Sequence, residues 1–126
     1  MKKEVLRGKI HRATVTQAEV DYEGSIGIDA GLLRAAGIEE YDRVEVYDVT
    51  RGSRFATYAI EAPEGSGTIS VNGAAARLVE PGDLVIVAAY GTVEVGEPRR
   101  GPALVFVDRK NAIAEIKTRE LQGVGA

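Results

Sequence analysis

Cysteine and tryptophan are absent from this chain of 126 residues, and histidine occurs once, at His11. Without cysteine there is no disulfide framework, thiolate nucleophile, iron–sulfur ligation or cysteine-based zinc site, and a reducing cytoplasm is the expected location. A lone imidazole excludes multi-histidine metal centres, and no carboxylate cluster has the spacing of an all-oxygen loop site, so no metal is expected. Long apolar runs are missing too. The longest, residues 84–90, falls far short of the roughly 20 residues that span a bilayer. No apolar stretch follows the basic start Met1-Lys2-Lys3, so neither a secretory signal nor a membrane anchor is expected. Positive charge is also short. Sixteen Lys+Arg against nineteen Asp+Glu give a net charge of -3 and a pI of about 5.2, the wrong sign for holding phosphate backbones, which disfavours nucleic acid as a partner.

What remains describes one β-rich domain over residues 1–126, long enough to bury a core without covalent staples. Short period-2 or continuous stretches of Val, Ile, Thr and Tyr predict strands at 4–13, 17–21, 25–28, 43–49, 54–61, 68–71, 84–90 and 104–107. Fifteen glycines supply many tight turns, among them Thr50-Arg51-Gly52-Ser53 and Glu80-Pro81-Gly82-Asp83. Only two short helices fit between the strands. Asp29 can cap one that runs through Leu32, Leu33 and Ala36 to Gly37, and residues 73–79 form the other, capped by Asn72. Many short strands in so small a chain predict a closed barrel, because closure removes exposed sheet edges. Residues 96–102 read as an exposed loop, and the polar stretch at about 112–126 as a loosely ordered tail.

Chemistry-bearing residues are few. Serine occurs only at 25, 53, 66 and 70, and Glu23-Gly24-Ser25-Ile26-Gly27 has its glycines at the wrong offsets for a hydrolase elbow. Asp21-Tyr22-Glu23-Gly24-Ser25 lies between two apolar strands and, alone, is explained by an ordinary hairpin. On the 54–61 strand, period 2 puts Arg54, Ala56, Tyr58 and Ile60 on one face, so a guanidinium fork and a phenol can stand over one gap. A snorkelling arginine beside a half-buried tyrosine would look the same. Lys9 and His11 share another strand face and read equally well as a solvated cationic pair. After Val71, the Asn72-Gly73-Ala74-Ala75-Ala76 bend leaves backbone N–H groups uncovered, as an anion site or a plain helix start would.

Taken together, these segments closely resemble the pyruvoyl-dependent aspartate 1-decarboxylase family of bacteria. The resemblance is carried by Gly8-Lys9-Ile10-His11-Arg12, Tyr22-Glu23-Gly24-Ser25, Ile28-Asp29, Ala35-Ala36-Gly37-Ile38, Arg54-Phe55-Ala56-Thr57-Tyr58-Ala59-Ile60, Ile69 to Ala76, and Gly82-Asp83. It spans most of the first ninety residues. The family often has a cysteine after the cleavage serine, where Ile26 stands here. The resemblance implies a small closed six-stranded double-psi β-barrel with short helices, assembled as a homotetramer with sites between subunits. It implies conversion of L-aspartate to β-alanine and carbon dioxide for pantothenate, with no diffusible cofactor or metal. The cofactor would be a covalent pyruvoyl group made from Ser25 by self-cleavage at Gly24-Ser25, its ketone condensing with the substrate amine. Thr57 would stabilise the oxyanion of cleavage. Arg54 and Lys9 would hold the two substrate carboxylates, in an order the resemblance leaves open. Tyr58 would return a proton, as a phenol protonated at neutral pH can. Thr57, Asn72, Gly73, Ala74 and Ala75 would complete substrate binding, with His11 and Tyr22 as further candidates. A maturation partner is left open.

Two alternatives are a non-enzymatic barrel serving as a binding or regulatory module, and a pyruvoyl decarboxylase of another amino acid. Cleavage separates the first from the rest. Purified protein should give two fragments, residues 1–24 and 25–126, by intact mass, and Ser25→Ala should stay whole. A single 13.4 kDa chain that never becomes reactive toward carbonyl reagents would leave the binding module.

Overall fold

The computed structural model describes residues 1–122. Strands β1 (Lys2–Thr14), β2 (Gln17–Glu19) and β3 (Ile26–Asp29) lead into helix α1 (Ala30–Ala36). Strands β4 (Arg43–Asp48), β5 (Arg54–Ala62) and β6 (Ile69–Asn72) follow, then a 3-10 helix, Gly73–Leu78. Strands β7 (Leu84–Glu94), β8 (Ala103–Val107) and β9 (Ile113–Lys117) end the described chain. The fold is mainly β, as the apolar alternation predicts.

The hydrogen-bonded order is β2-β6-β3-β5-β4-β7-β1-β8-β9. This corrects the expected closed six-stranded barrel: there are nine strands among the described residues, and the order runs open from β2 to β9. The reason is that β1 passes through Val15 and Thr16 directly into β2, so chain continuity joins the two halves in place of a ladder. Single bonds pin the crossing: Val15 N–H to Asp83 O at 2.8 Å, Gly82 N–H to Val15 O at 2.8 Å, and Thr16 N–H to Ile69 O at 2.8 Å. The ninth strand, β9, lies in the stretch read as a tail. It pairs antiparallel with β8, and all five of its residues are exposed. Residues 123–126 of that tail lie outside the described residues.

The short strands β3 and β6 and one face of β1, β4 and β7 fill the core. Ile10, Val44, Val46, Val85 and Val87 meet Ile26, Ile28, Ile69 and Val71, each at most 1% exposed, and each such side chain contributes about 1.5–3 kcal/mol by leaving water. The other face of the β5-β4-β7-β1 stretch carries Arg54, Ala56 and Tyr58, then Glu45 and Tyr47, then Ala88 and Tyr90, then Lys9, as the ladder register sets them side by side. Helix α1 starts and stops where the sequence predicts. Asp29 accepts from Gly31 N–H at 2.8 Å, and Gly37 ends the helix at φ 71°. The second helix differs. It is 3-10, and the Asn72 side chain makes no capping bond, because its Oδ1 accepts from Ser70 Oγ at 2.9 Å.

No helix among the described residues is long and apolar enough to cross a membrane.

Asp29 does more than cap. Its carboxylate also accepts from Gly65 N–H at 3.2 Å and Gly67 N–H at 2.9 Å, which ties the β5–β6 connection to the end of β3. Burial pushes its carboxyl up, but the N–H groups of Gly67, Gly31, Gly65 and Leu32 together hold it below its usual value. A depressed carboxyl contributes stability that is present above the unfolded-state value and is lost as pH falls through the folded one. Asp29→Ala should therefore cost about 2–4 kcal/mol in urea unfolding at neutral pH, and the deficit relative to the parent should shrink in acid. An equal deficit at all pH values would assign the role to packing alone.

Candidate active site

Strand β3 is four residues long and buried throughout. It lies parallel to β5, Ile26 beside Ala59, and antiparallel to β6, Ile26 beside Val71. Ser25 immediately precedes Ile26, so it enters the sheet between the ends of two strands. On the β6 side, Asn72 N–H donates to the Ser25 carbonyl at 2.8 Å. On the β5 side, Thr57 and Tyr58 immediately precede Ala59, the partner of Ile26. Gly24 adopts φ 80°, in the left-handed region that side-chain-bearing residues rarely occupy, and a Cβ there would lie 3.0 Å from Ile60 Cγ1. Gly73 is also left-handed, at φ 67°, with its Cβ position 3.9 Å from the Tyr22 carbonyl. Thus Tyr22, Gly24, Ser25, Thr57, Tyr58, Asn72 and Gly73, far apart in sequence, converge at one end of β3, with Ala74 and Ala75 in the turn that follows.

Tyr58 is 38% exposed and stacks on Tyr41, ring centroids 5.9 Å apart. Arg54 shares its outward face at the start of β5, about 13 Å along the strand from Tyr58. Its guanidinium sits over the Tyr47 ring, 4.0 Å from the centroid. Tyr47 Oη and Tyr90 Oη lie 2.8 Å apart; that bond, then burial, pushes the Tyr90 phenol up to about 12. Tyr47 and Tyr90 also line a cleft with Glu4, Arg43 and Glu45.

Lys9 and His11 are not brought to Ser25 by the sheet order. They stand on β1, beyond β4 and β7 from β5. Nor are they a solvated pair. Lys9 is 7% exposed and forms an ion pair with Glu120. His11 packs on Phe106, ring centroids 5.0 Å apart, and its Nδ1 is buried without a partner among the described residues. Burial first, then Lys9 and Arg12, push the His11 imidazole below its usual value.

Three participants were missed in the sequence. Tyr47 was findable, because the 48–53 turn, closed by Asp48 N–H to Ser53 O at 2.9 Å, sets it opposite Arg54. Tyr41 sits at φ 71° in a loop without periodicity. Glu120 lies 111 residues from Lys9, and no local pattern links them.

The chain matches the aspartate decarboxylase family over residues 1–114. It is 51% identical over 124 residues to the aspartate 1-decarboxylase of Myxococcus xanthus, covering 98% of this chain and 95% of that one. With the aspartate 1-decarboxylase of Xanthomonas campestris it shares 57% identity over 111 residues, 87% of this chain and 88% of the relative. Among solved structures, the computationally designed protein msDPBB_sym2 aligns with a TM-score of 0.42 at 24% identity, over 68% of this chain and 96% of that one.

The left-handed Gly24 generates a prediction that needs no assay of activity. In the intact Ser25→Ala background, where the junction stays whole, Gly24→Ala should lower folding stability by about 1–2 kcal/mol in urea unfolding. Gly52→Ala is the reference, since Gly52 is equally left-handed at φ 83° with nothing within 4 Å of its Cβ position. Gly24→Ala should cost more than Gly52→Ala by the Ile60 contact; equal costs would show that the turn yields freely.

Proposed function

This chain belongs to the aspartate decarboxylase family and converts L-aspartate to β-alanine and carbon dioxide; we propose that it does so at Ser25, after cleaving its own Gly24–Ser25 bond. The observation that carries this reading is the junction itself: a left-handed glycine followed by a serine, with Asn72, Thr57 and Tyr58 around it.

Those residues support the cleavage. Ser25 Oγ attacks the Gly24 carbonyl carbon, the C–N bond breaks, and the acyl group passes from nitrogen to oxygen as an ester. Without a side chain, Gly24 leaves its carbonyl open to that approach. The Thr57 hydroxyl donates to the oxygen that becomes negative, a task worth several kcal/mol in a preorganised site. β-Elimination then frees residues 1–24 as the Gly24 carboxylate and leaves dehydroalanine at position 25, and water replaces its nitrogen, lost as ammonia, to leave a pyruvoyl group.

The residues present fit that group. The Ser25 carbonyl, which it retains, already accepts from Asn72 N–H at 2.8 Å, and this donor favours build-up of negative charge on that oxygen. The pyruvoyl group supplies the carbonyl that accepts electrons as carbon dioxide leaves. Arg54 and Lys9 hold the two carboxylates of aspartate, and Tyr58 Oη delivers a proton to the carbon that lost one of them. Thr57, Asn72, Gly73, Ala74 and Ala75 line the remainder, with Tyr22 and His11 beside it.

Since sheet order in one copy separates Lys9 from Ser25, we assign the complete site to the boundary between subunits of a homotetramer. The outward face that bears Arg54, Tyr58 and Tyr90 supports this, with Tyr41 at 72%, Tyr58 at 38% and Tyr90 at 40% exposure in the single chain. The mixed parallel and antiparallel pairing of β2, β3, β5 and β6 supports a double-psi arrangement at the core.

The test uses Tyr58→Phe, which keeps the ring and removes the proton. Gly24–Ser25 cleavage should proceed while carbon dioxide release from aspartate falls by about 10²-fold or more. Parent-rate release would move the proton donor elsewhere. Parent enzyme should turn over alanine poorly, because a missing carboxylate leaves a cation unpaired; equal rates for alanine and aspartate would remove the two-cation clamp.

A further inference from the structure

Lys9 carries a positive charge in a place with little water. Its side chain is 9% exposed, whereas that of Glu120, its ion-pair partner, is 47% exposed. Among the described residues Glu120 is the carboxylate paired with Lys9, while His11 on the same face is held toward the neutral form and Arg12 is a cation. A buried ammonium left without a counter-ion is destabilising by several kcal/mol, so the resting chain needs a carboxylate here.

Glu120 meets that need from a segment suited to leave. It comes three residues after β9, which among the described residues is an edge strand paired with β8 and is exposed throughout. The start of the segment is fixed, because the Thr118 carbonyl packs so closely on Gly101 that no side chain would fit there. Beyond that anchor the Glu120 side chain reaches Lys9 on β1, whose β8 neighbour Leu104 is fully buried. Hydrogen bonding to Lys9 holds the Glu120 carboxyl below its usual value, so the group facing Lys9 at neutral pH is a carboxylate, chemically the same as either end of aspartate.

We propose that Glu120 is a resident competitor for the Lys9 subsite, a carboxylate of the chain's own C-terminal segment that a substrate carboxylate displaces. The proposal rests on the assignment of Lys9 to a substrate carboxylate above. Exchange of one carboxylate for another keeps Lys9 paired in both states, so the empty site is stable and affinity for aspartate is set by the difference between two ion pairs. Glu120 therefore determines affinity without touching the reacting atoms.

Glu120→Gln keeps shape and removes charge. In processed, full-length enzyme it should lower KM for aspartate by about 3- to 10-fold, with the effect in KM rather than kcat. It should tighten binding of succinate, a dicarboxylate without an amine, by a similar factor in calorimetry. Glu120→Asp, with a shorter reach to Lys9, should fall between. Lys9→Met separates the two readings: it should raise KM for aspartate, and adding Glu120→Gln to it should change nothing further. If Lys9→Met leaves KM and succinate affinity unaltered, the assignment of Lys9 to substrate fails. If Lys9→Met weakens both but Glu120→Gln leaves them unchanged or weaker, only the competitor role fails.

Discussion

The chain of constraints begins at β3. A four-residue strand has little stability of its own, and β3 persists because it is buried on both faces and bonded on both edges, parallel to β5 and antiparallel to β6. Asp29 locks its far end by gathering N–H groups from α1 and from the β5–β6 connection. With that end immobile, the near end has no freedom to slide, since a one-residue slip would turn Ile26 and Ile28 out of the core. Ser25 is thereby delivered to one spot, between Asn72 and Tyr58. The proposed cleavage needs reacting atoms held within a fraction of an ångström, and a buried strand is suited to that holding.

A second constraint is electrostatic. The anchoring cations of a dicarboxylate must be desolvated enough to discriminate, yet a desolvated cation is unstable when the site is empty. The two cations proposed to anchor the dicarboxylate are stabilised differently. Arg54 is exposed and rests on the Tyr47 ring, where a weakly hydrated guanidinium is stabilised without a counter-ion. Lys9 is buried, and a compact ammonium gains less from an aromatic face, so it takes a carboxylate. Away from the site, Asp48 and Asp83 illustrate the same economy of charge. Arg51 bonds Asp83 at 2.7 Å, while burial and the nearby Asp83 push the Asp48 carboxyl up, so the two carboxyls with one guanidinium hold the β4–β5 turn against the start of β7.

Alternation of Val and Ile, turn glycines and the Asp29 and Gly37 caps were legible residue by residue, because each depends on local backbone preference and a two-residue or 3.6-residue period. Strands β3 to β6 and helix α1 lie where those signals put them. The short motif Tyr22-Glu23-Gly24-Ser25 and its companions 54–60 and 69–76 likewise carried the family resemblance. Closure was not legible: whether β1 ends a sheet or continues through Val15 and Thr16 into β2 depends on contacts with Asp83 and Ile69, more than fifty residues away. The strand β9 was missed for a related reason, since its five exposed residues give no buried face to generate a pattern.

By itself, then, the sequence determined the strand-forming segments, the caps, the glycine needed before Ser25, and the set of polar residues available for chemistry, all of which follow from local conformational and chemical preference. Only the tertiary structure decided which of those residues meet. It placed Ser25 with Asn72 and Tyr58, left Lys9 three strands away from β5 in the sheet, and set Glu120 on Lys9 across 111 residues of sequence. Such meetings depend on strand order and on the burial of charge, and both are properties of the folded chain that no window of neighbouring residues contains.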